Sequence, residues 1–158
     1  LVYNSGGYDR LETLKLLEGV FDIYMPDFKF WDPRVAEDTC NAPDYPKVAR
    51  NALREMHRQV GDLVIDDNGI ARRGLLVRHL VLPEGLAGTR EIMRFIADDI
   101  STDTYVNIMT QYRPCGRAAE VRELAACPTE NDFKKARRAA MEGGIRRLDR
   151  PRRVFALR

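Results

Sequence analysis

The sequence predicts an α/β protein, the C-terminal portion of a partial (β/α) barrel of TIM-like type, and three observations carry that prediction. Short runs rich in β-branched and aromatic residues, at 1–4, 21–31, 74–83 and 105–109, alternate with longer stretches whose apolar residues recur at helical spacing. Polar or glycine-rich residues follow these runs, as in Asn4-Ser5-Gly6-Gly7, Asp27-x-Lys29 and Gln111-Tyr112-Arg113, where parallel α/β folds place their sites. Roughly four or five strands can be counted, too few to close a barrel, and the chain opens directly in an apolar run, so the other half of the barrel is expected to lie outside it. The length, 158 residues with 44% hydrophobic content, is that of one domain with a real core. Residues 1–150 are assigned to this half-barrel and residues 151–158 to a basic, frayed tail.

Residues 1–4 read as a short buried strand entering Gly6-Gly7, a pair that permits a tight turn and close backbone approach. Asp9, with Glu12 three residues on, is expected to cap a helix bearing Leu11, Leu14 and Leu17, stopped by Gly19. Strand, turn, helix and strand make a βαβ unit, whose crossover requires parallel strands. Residues 32–44, rich in Asp, Asn and Pro, are expected to form a loop ending at Asp44-Tyr45-Pro46, an Asp cap with an early proline. Val48, Ala49, Ala52, Leu53, Met56 and Val60 trace the buried stripe of the helix that follows. Asp66-Asp67-Asn68-Gly69 reads as the turn of a small inserted hairpin. Residues 74–83 form a third core strand, in which Arg78 and His79 must point to opposite faces. Thr89 is expected to cap a helix that buries Ile92, Met93, Phe95, Ile96 and Ile100. Residues 105–109 make a fourth strand, residues 115–127 are poorly patterned, and Thr129 with Asp132 starts a last helix that Gly143-Gly144 stops. Residues 145–148 are a candidate final short strand.

The stretch 21–31 organises the rest. Its pattern is that of a buried strand, yet it ends in a carboxylate and an amine two residues apart. Side chains at i and i+2 share a face, so Met25, Asp27 and Lys29 point the same way, with Asp27 and Lys29 roughly 7 Å apart at Cα. Opposite charges at a strand's C-terminal end either close a barrel mouth as a plain ion pair or await a zwitterionic ligand.

Composition narrows the function classes. Cys40, Cys115 and Cys127 match no metal spacing and leave an odd thiol, which points to a reducing compartment and against a metal site within this chain. His57 and His79 are too few for a multi-histidine site. No apolar run approaches the ~20 residues that cross a bilayer, so a cytoplasmic protein with no membrane partner is expected. The net charge of +2 conceals a basic end, with ten of the 26 Lys and Arg in residues 134–158. A single aromatic residue, Phe155, falls in that basic run, too little interleaving for base stacking, so nucleic acid is not expected as a partner. A non-catalytic fragment that docks an acidic partner through this end remains open.

Five ordered blocks resemble a known family: Val2-Tyr3-Asn4-Ser5-Gly6-Gly7-Tyr8, Asp22-Ile23-Tyr24-Met25-Pro26-Asp27-Phe28-Lys29, Asn41-Ala42-Pro43-Asp44-Tyr45-Pro46, Leu76-Val77-Arg78-His79-Leu80-Val81-Leu82-Pro83 and Asn107-Ile108-Met109-Thr110-Gln111-Tyr112-Arg113-Pro114. Together they are similar to radical S-adenosylmethionine proteins related to the pyruvate formate-lyase activating enzyme. The resemblance implies a radical SAM barrel in which a 4Fe-4S cluster binds S-adenosylmethionine and cleaves it reductively to a 5'-deoxyadenosyl radical. It implies hydrogen abstraction from a protein or peptide substrate, a glycine in the activases, and an electron donor such as flavodoxin or ferredoxin. Asp27 and Lys29 match the family's D-x-K pair, and Lys29 would meet the carboxylate of the methionine moiety. Asn4 and Ser5 fall where the activating enzyme has an Asp-Thr pair, beside a monovalent cation site with Met25. Arg78 matches an arginine of the sixth strand, and Arg113 falls near a histidine. The CxxxCxxC loop that holds the cluster is not in this chain, and its ligands are expected N-terminal to it. An aldolase that forms a Schiff base through Lys29, tuned by Asp27, is the alternative enzyme class.

Overall fold

The computed structural model describes residues 1–149; the tail assigned to residues 151–158 lies outside the described residues. In chain order the elements are β1 (Val2–Ser5), α1 (Leu11–Leu16), β2 (Ile23–Pro26), α2 (Pro33–Cys40), α3 (Tyr45–Val60), β3 (Val64–Ile65), β4 (Ala71–Leu80), α4 (Thr89–Phe95), β5 (Tyr105–Met109), α5 (Glu130–Glu142) and β6 (Arg147–Leu148). Five strands run parallel in the order β1-β2-β4-β5-β6, and β3 pairs antiparallel with β4 as the expected hairpin. Consecutive parallel strands joined through helices are the (β/α) arrangement that the alternation predicts. The sheet is open: among the described residues β1 and β6 each have a single strand neighbour, and no closed barrel forms.

The two faces of the sheet differ in burial. On one, Tyr24 and Phe28 of the β2 segment, Leu75, Val77 and His79 of β4, and Val106 of β5 are fully buried, with α3 against β2 and β4 and α5 against β5. On the other, Met25, Asp27 and Lys29 alternate with them as half-buried residues, followed across the sheet by Leu76, Arg78, Leu80, Asn107 and Met109. The regular pairing of β2 ends at Pro26, shorter than the stretch 21–31, but the burial alternation continues through Phe30 and Asp27 still bridges to Arg78. β5 occupies the expected residues.

Several local expectations are corrected. Residues 33–40 are helical, not loop: Asp32 accepts from the Arg34 N–H, Pro33 sits at the first turn, and Asn41 ends the helix at φ 52°. Asp9 does not cap α1; its carboxylate accepts from the hydroxyls of Tyr3 and Ser5. Asp44 precedes α3 without a side-chain cap, because it accepts from Tyr8 Oη. Thr89 does not cap α4 either, since its hydroxyl is committed to His79. In each case a side chain that precedes the helix takes the capping group: Tyr3 and Ser5 for Asp9, Tyr8 for Asp44 and His79 for Thr89. The capping box of α5, Thr129 with Asp132, forms as expected.

Candidate functional site

The candidate site gathers at the C-terminal ends of β1, β2 and β4. Asp27 is its hub. Lys29 Nζ donates to Oδ2 at 2.6 Å, and Arg78 Nε donates to Oδ1 at 2.7 Å. Arg78 Nη2 reaches the same Oδ1 at 2.6 Å and donates to Asn4 Oδ1 at 2.7 Å. The spacing of Asp27 and Lys29 thus produces the shared face that period-2 alternation requires. What spacing could not show is that Arg78, 51 residues away, completes the network.

Ser5 is turned away from this group. Its hydroxyl donates to Asp9 Oδ2 at 2.8 Å and accepts from the Gly7 N–H at 3.2 Å, which shapes the turn after β1. Consecutive strand residues point to opposite faces, so Asn4 and Ser5 cannot both face the ligand side. Gly7 is required here by geometry: at φ +76°, a Cβ would lie 2.1 Å from the Asp27 carbonyl oxygen. Close approach of the β1 turn to the Asp27 backbone therefore depends on a missing side chain.

The network opens into a cleft of about 1310 Å³. Asp27, Lys29 and Arg78 form one part of its lining, α2 contributes Glu37, Asp38 and Cys40, and the segment after β5 contributes Gln111, Tyr112, Arg113 and Cys115. Arg113 is exposed and stands apart from the hydrogen-bonded network of Asp27. The helix α2, missed in the sequence, supplies a wall of the cleft; its signals were Asp32 before Pro33 and Asn41 at its end.

On the far side of the same segment, His79 supports the site without entering it. Its Nδ1 is 2.8 Å from the Phe28 carbonyl and its Nε2 is 2.8 Å from Thr89 Oγ1. The carbonyl can only accept, so Nδ1 carries the proton and Nε2 accepts from the threonine. Burial pushes the His79 pKa down to about 4, against the opposing pull of the Phe28 bond, and the ring is neutral at pH 7.

Which cofactors these residues fit can be tested on their chemistry. A zwitterionic amino acid matches the charged cluster: two cations surround one carboxylate, leaving a cationic surplus for a ligand carboxylate. Lys29 retains two of its three N–H donors beyond the bond to Asp27. An iron-sulfur cluster does not fit. Cys40, Cys115 and Cys127 are exposed on separate segments, and among the described residues no group of three or more His, Cys, Asp or Glu is placed to hold a metal. No helix among the described residues is long and apolar enough to cross a membrane.

Comparison with known proteins gives a fold and a partial relative. No family model matches the chain. An uncharacterized protein of Methanocaldococcus jannaschii is 31% identical over 137 residues, covering 86% of this chain and 36% of that protein. The chain therefore spans about a third of the length of the curated relative it matches. The crystal structure of a domain of pyruvate-formate lyase-activating enzyme from Bacteroides vulgatus aligns with a TM-score of 0.65 at 12% identity, over 94% of this chain and 78% of that chain. At that identity the likeness is one of fold, and this chain shares the α/β fold of an activating-enzyme domain.

Proposed function

We propose that this chain carries the methionine-binding part of a radical S-adenosylmethionine site, in a protein that acts on a protein or peptide substrate. The observation that carries the reading is the Asn4–Arg78–Asp27–Lys29 network at the strands' C-terminal ends, with cationic charge left over beside a single carboxylate. Lys29 binds the ligand carboxylate through its free N–H donors, and Arg78 keeps Asp27 oriented. Asp27, which accepts from Lys29 Nζ and Arg78 Nε, keeps acceptor capacity for the ligand's ammonium group. Bound there, S-adenosylmethionine would supply radical chemistry. Because the cysteines do not fit a cluster, no step is assigned to one. The cleft exceeds the roughly 300–1,000 Å³ of a drug-sized pocket, which supports room for a substrate segment beside the cofactor.

Calorimetric titration of S-adenosylmethionine into the chain and two variants tests the reading. Lys29→Ala should weaken binding by about 1.5 to 3 kcal/mol, the range for a charge-assisted bond, and Arg113→Ala by less. Equal affinities for the two variants, or no binding by the unaltered chain, would remove Lys29 from a ligand site.

A further inference from the structure

The hydroxyl of Tyr45 stands where the two segments of the site meet. Tyr45 begins α3 and is buried. Its Oη accepts from the Lys29 N–H at 2.9 Å and lies 3.0 Å from the Gly6 carbonyl and 3.1 Å from the Asp27 carbonyl, so its one proton is shared between two acceptors. These contacts replace what strand pairing no longer provides. Asp27 N–H still bonds the Ser5 carbonyl and Phe28 N–H the Arg78 carbonyl, but beyond them the backbone donor of Lys29 has the phenol as its partner. Phe30 and Phe28 pack edge-on against the ring at 5.7 and 6.4 Å, and Tyr8 stacks on it at 5.9 Å, so the hydroxyl has little freedom to move away. Burial raises the Tyr45 pKa above its ordinary value and keeps the proton in place.

We infer that Tyr45 is a positioning residue for the Asp27–Lys29 pair: its hydroxyl locks the turn after β1 to the segment after β2, so the pair is held in place before a ligand arrives. Gly7 is the complementary half of this lock, because its bare Cα admits the Asp27 carbonyl against the turn. The ligand's identity rests on the function proposed above; the positioning of Lys29 does not.

Tyr45→Phe keeps the ring and removes the hydroxyl. Tyr24→Phe is the control, since Tyr24 is also buried and its hydroxyl donates to Gln59 at 2.7 Å, away from the pair. Two quantities are measured: the rate at which an amine-reactive reagent labels Lys29 in ligand-free protein, followed by peptide mass spectrometry, and the Kd for S-adenosylmethionine. Tyr45→Phe should raise labelling several-fold and weaken binding about tenfold, while Tyr24→Phe changes neither, whatever each does to thermal stability. Faster labelling in Tyr45→Phe alone, with no binding even by the unaltered chain, would support the positioning and defeat the proposed ligand. Labelling unchanged in Tyr45→Phe, or raised equally in Tyr24→Phe, would overturn the inference. Should Tyr45→Phe not fold, hydrogen exchange in the unaltered chain decides: the Lys29 amide must be protected, and exchange at the rate of a free loop amide would overturn it.

Discussion

Arg78 and His79 are adjacent on β4, yet they serve two faces of the sheet with opposite requirements. His79 is completely buried, uncharged, and uses both ring nitrogens on Phe28 and Thr89. Arg78 is partly exposed and charged, and binds Asp27 and Asn4 at the edge of an open cleft. Both hold the segment after β2, His79 through the Phe28 carbonyl and Arg78 through the Asp27 carboxylate. On the covered face His79 contributes to stability because both ring nitrogens are satisfied within the protein. On the open face the charges are only partly satisfied by one another, and the remainder is available for a ligand. The same strand thus sets a residue that holds the fold beside one of the proposed binding network.

This contrast is broken most severely at His79. His79→Leu would leave the Phe28 carbonyl and the Thr89 hydroxyl buried without partners, and should lower the free energy of unfolding by roughly 2 to 5 kcal/mol in denaturant titration. A loss below 1 kcal/mol, about the worth of an ordinary hydrogen bond, would mean that the pairings carry little. The histidine also makes stability depend on pH. Its folded pKa is near 4 and its unfolded value is ordinary, about 6.5. Between those values the unfolded chain binds the extra proton, so its contribution is fully present above about pH 6.5 and lost as pH falls toward 4. The loss should be about 3 kcal/mol and absent from His79→Leu; equal pH dependence in the two proteins would contradict it. The smallest effect on stability is expected at the open face. Asp27→Asn should cost about 1 kcal/mol, because the ion pairs it serves are partly solvated, while reducing ligand affinity much more. If Asp27→Asn proved as destabilising as His79→Leu, the division between the faces would fail.

Much of this was legible in the sequence, and its gaps have physical causes. Period-2 alternation through 21–31 placed Asp27 and Lys29 on one face, and the opposite orientation of Arg78 and His79 followed from adjacency alone. Thr129 and Asp132 formed their capping box because both partners are local. Asp9, Asp44 and Thr89 looked like equally good caps but are engaged by Tyr3 and Ser5, by Tyr8 and by His79, contacts that exist only after the chain folds. The Asp-, Asn- and Pro-rich composition around residues 33–40 suggests a loop, although Asp32, Pro33 and Asn41 are sound helix-boundary signals. Tyr45 was visible only as part of a helix start; its bonds to Gly6 and Asp27 span 39 and 18 residues, a separation that no local pattern encodes.

The most direct test of the central claim compares S-adenosylmethionine with its decarboxylated analogue in titrations of the chain and of Lys29→Ala. If the network of Asp27, Lys29 and Arg78 receives the methionine carboxylate, the unaltered chain should prefer S-adenosylmethionine by roughly 10- to 100-fold, and Lys29→Ala should lose most of that preference. Equal affinity of the unaltered chain for the two compounds would contradict the account.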